Sequence, residues 1–349
     1  MFNKSKLWTV VLIAVLLPIY SQEESTVMQK VGSLAQKALS YQIAGYKWAA
    51  GILFPDIKEI LQDTFDLARC FPSLDKFTGY DKIINKEENV SPRVKQFVIE
   101  TIKEVPPYIK YADYYGVYYD RMLYISQEYV SDTRPSLDTL LAYKQKLLSL
   151  SDEEYKDEYA KQSTKSLLYF LQLTSRQKAL DVFEEQLDDY RGTLFHEERH
   201  FKNNDAKRDL LFNIGITSLA SLCSYGFVTK IWQTPRVLPA YLMVNFLAQN
   251  IFKKEIWYWH ARKTEREADN AIPDDIKLLS AQVRSYKSLE KALQQWKSTD
   301  WKKNNIFYKG LRSLYARCGV ELLDREHPTA TQRAAQFQKR IDALEKNKA

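Results

Sequence analysis

Cysteine is scarce and poorly spaced for chemistry: Cys70, Cys223 and Cys318 are the only three in 349 residues. They read neither as a thiolate zinc cluster nor as a disulfide framework, and an oxidising compartment would permit one bridge at most, of which Cys70 to Cys318 is the best placed. Strong charge of one sign is lacking as well. The formal net charge is +7, interrupted by acidic clusters at Asp152–Glu154 and Glu184–Asp189. With no long basic stripe, no zinc-finger spacing and no RNA-binding signature, nucleic acid is not the expected partner. Histidine is limited to four positions, and no internal repeat is visible. What is plentiful is apolar and aromatic side chain, 45% and 13% of the sequence, enough to order a chain long enough for two domains or one large one.

The first 21 residues, MFNKSKLWTVVLIAVLLPIYS, set Lys4 and Lys6 ahead of an apolar run from Leu7 to Leu17, then Pro18 and Ser21. That is the layout of a secretory signal peptide, with an uncleaved anchor as the alternative, so the expected location is the periplasm or cell envelope, free or membrane-anchored. Residues 22–107 read as a helical N-terminal region, with apolar positions such as Val27, Val31, Ile57 and Ile60, breaks at Pro55 and Pro72, and a last helix over Ser91–Val105. Residues 108–130 are dense in Tyr, Val and Ile, with turn positions at Gly116 and Asp120-Arg121. They predict a small β-hairpin or meander, with an aromatic helix as the alternative. Helices are expected again over Ser136–Leu150, Asp152–Leu173 and from Ser175 onward.

Two apolar runs follow, Leu210–Val228 and Val237–Phe252. The first is long enough to span a membrane and the second is marginal. Their polar residues (Asn213, Thr217, Ser218, Ser221 and Ser224, then Asn245, Gln249 and Asn250) favour buried core helices over a membrane hairpin. The basic flanks Lys207, Arg208, Lys253 and Lys254 argue the same way for an exported chain. Helix resumes over Glu255–Glu321.

The chemistry is concentrated in 191-RGTLFHEERHFKNND-205. His196 and His200 lie four apart, so on a helix both project from one face and can aim ring nitrogens at one ion about 2.0–2.1 Å away. Glu197 beside them is placed to activate a water and pass its proton to a leaving amine. Catalytic zinc takes three protein ligands and keeps a further position for water, so a third ligand is needed. Glu265 in 261-ARKTEREADN-270 is the best candidate, with Asp269 one turn on to support a ligand. Alone, such a pair is a solvated helix face; its place one helical hairpin after the histidines distinguishes it.

Together, His196-Glu197-x-x-His200, Asp205 and Arg262-x-x-Glu265-x-x-Ala268-Asp269 resemble the zinc metallopeptidase family that contains HtpX, the CAAX prenyl endopeptidases and the Oma-type mitochondrial proteases. The stretch 327-HPTATQR-333 is similar to a third block of that family. The resemblance implies one zinc ion held by His196, His200 and Glu265. It implies Glu197 as catalytic base, His327 facing the substrate or oxyanion, and Asp269, Asp205 and Arg333 as support. Alone, His327 is a histidine at a helix start ahead of a proline. The chain departs from the pattern at Arg199, where a small residue is usual, and in a helical insertion at residues 134–173 that could cap the cleft.

The expected fold is therefore α+β and mostly helical, a zincin-like peptidase domain over residues 108–349 with a small sheet and an active-site helix. The expected activity is zinc-dependent endopeptidase action on a peptide or protein substrate; the alternative is a catalytically silent zinc-binding scaffold or chaperone-like protein.

Overall fold

The computed structural model describes residues 55–85, 90–112, 115–126, 136–160, 175–231, 237–299 and 327–348. The signal peptide, the helix expected before residue 55, Cys318 and its bridge, and the last part of the 134–173 segment lie outside them. The described residues are mostly helical with one three-stranded sheet, as the composition and patterning imply. Its contacts group into two units, one holding residues 55–85 with Lys207–Lys254 and the other Glu87–Ala206 with Glu255–Ala349.

In the first unit α1 (Pro55–Ala68) is followed by short helical turns up to Ile84. The two apolar runs form α6 (Asp205–Ile231) and α7 (Val237–Leu247), the latter continued by a π-helical turn over Ala248–Lys253. They are not the buried core helices that their polar residues predict. Over Asp205–Lys230, the one described helix long and apolar enough to cross a membrane, only 28% of the most apolar window is buried.

In the second unit α2 (Pro92–Thr101) starts behind Ser91, whose hydroxyl accepts from the Val94 N–H, with Pro92 in the first turn. It stops four residues short of Val105, because the Glu198 carboxylate accepts the backbone N–H groups of Lys103 and Glu104, both at 2.8 Å. The strands are β1 (Tyr108–Ala112), β2 (Gly116–Tyr118) and β3 (Met122–Ser126), in the order β1-β3-β2. Strands β2 and β3 form a hairpin joined by Tyr119, Asp120 and Arg121, with Tyr119 and Asp120 at positive φ and the Arg121 N–H donating back to Tyr118 O at 3.2 Å. Strand β1 pairs parallel to β3, so the sheet is not a meander.

The helices α3 (Leu137–Ser149), α4 (Asp152–Ala160) and α5 (Arg176–Asn203) follow, and Val94, Phe97, Leu123, Ile125, Leu140, Leu147, Phe183, Leu187 and Leu194 pack into one core. Residues 137–147 are thus built into that core, where Leu137, Leu140 and Leu147 form one apolar stripe. After α8 (Lys254–Ala271) the chain breaks at Pro273, and α9 (Ile276–Thr299) opens on Asp275, whose carboxylate accepts the N–H of Lys277. The closing helix α10 (Ala330–Lys346) starts behind Thr329 and seals a second cluster with Leu279, Val283, Phe337 and Ile341.

Candidate metal centre

Helix α5 carries the two histidines one turn apart, with their Nε2 atoms 3.0 Å from each other. Helix α8 brings Glu265 opposite them: Oε2 stands 3.3 Å from His196 Nε2, and Oε1 3.4 Å from His200 Nε2. Ligands bonded at 2.0–2.1 Å in tetrahedral geometry stand about 3.3 Å apart. The three side chains therefore already have the spacing a single ion requires, and they form the His/Glu group that could hold a metal among the described residues.

The far side of each ring is anchored. His196 Nδ1 lies 3.0 Å from Asp269 Oδ1, and His200 Nδ1 lies 3.0 Å from Asp205 Oδ2. A carboxylate on Nδ1 holds the proton there and leaves the Nε2 lone pair for a metal, the arrangement that orients ligating histidines. Asp269 is fully buried and is itself held by Arg333, whose Nε donates to Oδ2 at 2.8 Å. Arg333 also lies 3.6 Å from Glu265 Oε2 and stacks over the Tyr286 ring at 4.4 Å. One guanidinium thus orders Glu265 and Asp269 together.

Electrostatics make the centre hungry for a cation. Burial alone would depress His200, but the Asp205 and Glu265 carboxylates raise it to about 10. His196 is also raised, against burial, by Glu265 and Asp269. Burial would raise Glu265, yet the two imidazoles hold it well below the usual carboxylate range. Protons on the rings stand in for the charge a divalent ion would bring.

Each residue given a role by the resemblance falls in or beside this centre, and the fourth histidine of the chain, His260, does not. Glu197 is buried on the same helix, close enough for its charge to act on His200. His327, 45% exposed, sits at the edge, its Nε2 3.8 Å from Glu265 Oε1. Arg199 turns along its own helix to donate to the Asn203 side-chain oxygen, which removes the conflict its bulk raised. His260 lies on α8 beside Trp257, on another turn from Glu265.

Three supports were not evident from the sequence. Glu198, inside the motif, ties the loop after α2 to α5; Tyr286 backs Arg333; and Gly192, one turn before His196, admits the buried Gln282 of α9. A Cβ at Gly192 would overlap the Gln282 amide, which donates to Asp189 O at 3.1 Å. An unusually close helix approach at a glycine is the signal that only a known partner reveals. Gly192→Ala should expel that amide and cost about 1–3 kcal/mol, read as a lower denaturant midpoint. An unchanged midpoint would show that Gln282 yields freely.

No family model matches this chain, and no curated protein or solved structure matches it either. What the coordinates define is a class of site: two histidines and a glutamate converging on one point, each histidine backed by a carboxylate, on a helical scaffold.

Proposed function

We propose that the protein is a zinc-dependent endopeptidase of the cell envelope, of the zincin type its motifs resemble. The observation that carries this reading is the convergence of Glu265 on the His196–His200 pair with a buried Glu197 on the histidine helix. Two imidazoles and one carboxylate are a donor set that suits zinc and leaves a position open. Zinc bound there would polarise a scissile carbonyl and make a water acidic enough to attack it at neutral pH.

The chain's own residues do the rest. Glu197 takes the proton of the attacking water and delivers it to the leaving amine. His327, half exposed at the rim, donates from its ring to the oxygen that gains charge. Asp269, Asp205 and Arg333 keep the two rings aimed. An extended peptide adds to an edge of the sheet. Because β3 is paired on both sides, that edge is β2 or β1, not the 122–126 strand, and β2 packs against α5.

The test is cleavage of unfolded casein by the purified chain. A chelator should abolish it and added zinc should restore it. Stoichiometric zinc with no chelator-sensitive cleavage would favour the silent scaffold instead.

A further inference from the structure

Helices α6 and α7, with the π-helical turn after α7, are built inside out. The residues turned inward recur every three or four positions and are mostly polar: Thr217, Ser221 and Ser224 on α6, then Asn245, Gln249 and Lys253 on the other arm, all buried. Several of them are joined across the pair by hydrogen bonds. Gln249 Nε2 donates to Thr217 O and Ser221 Oγ, each at 3.0 Å, and Ser221 Oγ donates to Asp56 of α1 at 2.6 Å. Farther along, Lys253 pairs with Glu59, and Asn213 donates to Glu59 at 3.2 Å.

The residues turned outward are the large apolar ones. Leu219, Leu222, Phe227, Met243, Phe246, Leu247, Ile251 and Phe252 are all exposed, Leu219 by 61% and Phe252 by 69%. A water-soluble helix pair reverses this pattern, with apolar side chains at the seam and polar ones outside. An exposed apolar face that runs along two adjoining helices marks an interaction surface. In hydrocarbon the same arrangement is the stable one, since polar side chains must find partners inside the bundle and lipid takes the apolar face.

Two further features select a bilayer as the occupant. The 26 residues of Asp205–Lys230 rise about 39 Å, enough for a hydrocarbon core of about 30 Å. The exposed cations Arg208 and Lys254 at one end, and Lys230 at the other, complement headgroup phosphates.

We infer that α6 and α7 form a membrane-embedded hairpin whose apolar face contacts lipid tails and whose hydrogen-bonded polar seam faces inward against α1. The inference does not depend on the metal centre. It replaces the soluble-core expectation drawn from the same polar residues, which counted them without knowing which way they face, and from the basic flanks, whose bias sets the orientation of a span and not whether it is embedded.

Cys223, exposed on the outward face beside Leu222, is a built-in probe. The full chain with Cys70→Ser and Cys318→Ser is labelled there with bimane and reconstituted into phosphatidylcholine–phosphatidylglycerol vesicles. Lipids brominated on their tails should quench the dye, aqueous iodide should not, and the protein should float with the vesicles after alkaline carbonate. Release by carbonate overturns the inference. So does quenching by iodide without quenching by brominated tails, which would mean that an N-terminal anchor alone holds the protein. A dye that neither reagent quenches also overturns it, because protein rather than lipid would then cover the face.

Discussion

Glu197→Gln is expected to keep the metal and the fold while lowering cleavage of an unfolded substrate by about 10²–10⁴-fold. The substitution keeps the shape of the side chain and removes only its ability to take a proton. Glu197 is buried yet has no place among the three converging ligand atoms, so bound zinc should remain stoichiometric. The ratio of the two readouts is what matters. Equal loss of metal and activity would make Glu197 a structural member of the centre, and undiminished cleavage would sink its role as base.

Glu265→Gln should behave in the opposite way, losing the metal first and activity as a consequence. Its two oxygens are what bring a charge to within 3.4 Å of both Nε2 atoms. Loss of a residue that merely supports a ligand typically costs 10–100-fold in metal affinity, so removal of a ligand should weaken zinc by more than about 100-fold.

The same carboxylate links binding to pH. In the metal-free protein His200 is raised from 6.5 to about 10, so its protonated form stabilises the fold fully below about pH 6.5. That contribution is lost as pH climbs through about 10. A metal has to displace those protons, and zinc affinity should rise with pH across this window. In Glu265→Gln both the affinity and its pH slope should fall, which a calorimetric titration in two buffers measures. A slope equal to that of the unaltered chain would detach Glu265 from the pair.

Much of this centre was legible because its geometry is local. A histidine pair four apart, or Glu265 and Asp269 four apart, fixes a shared helix face without any tertiary knowledge. The resemblance then joined the two faces and added Arg333. What stayed hidden depends on partners distant in sequence. Nothing in the tyrosine-rich 108–126 stretch announces that β1 pairs parallel to β3, because parallel neighbours cannot be joined by a tight turn. Gly192 looks like an ordinary helix glycine until Gln282 is laid against it. Nothing inside the motif marks Glu198 as the acceptor for the backbone after α2. The polar residues of α6 and α7 suggest buried core helices from sequence, yet their number does not give the direction a face looks: in the structure most of them turn inward while large apolar residues stand exposed.

The short turn through Tyr119 and Asp120 would ordinarily be the place where a chain tolerates added length. Here Asp120 Oδ1 accepts the N–H of Ala206 at 3.1 Å, directly after the aspartate that holds His200. The tip of the hairpin is thereby clamped to the backbone beside that ligand's support, and strand β2 inherits a fixed distance to the ring. In the proposed peptidase the spacing between peptide and metal would be gauged by this one short turn, which would leave the loop little freedom to vary in length.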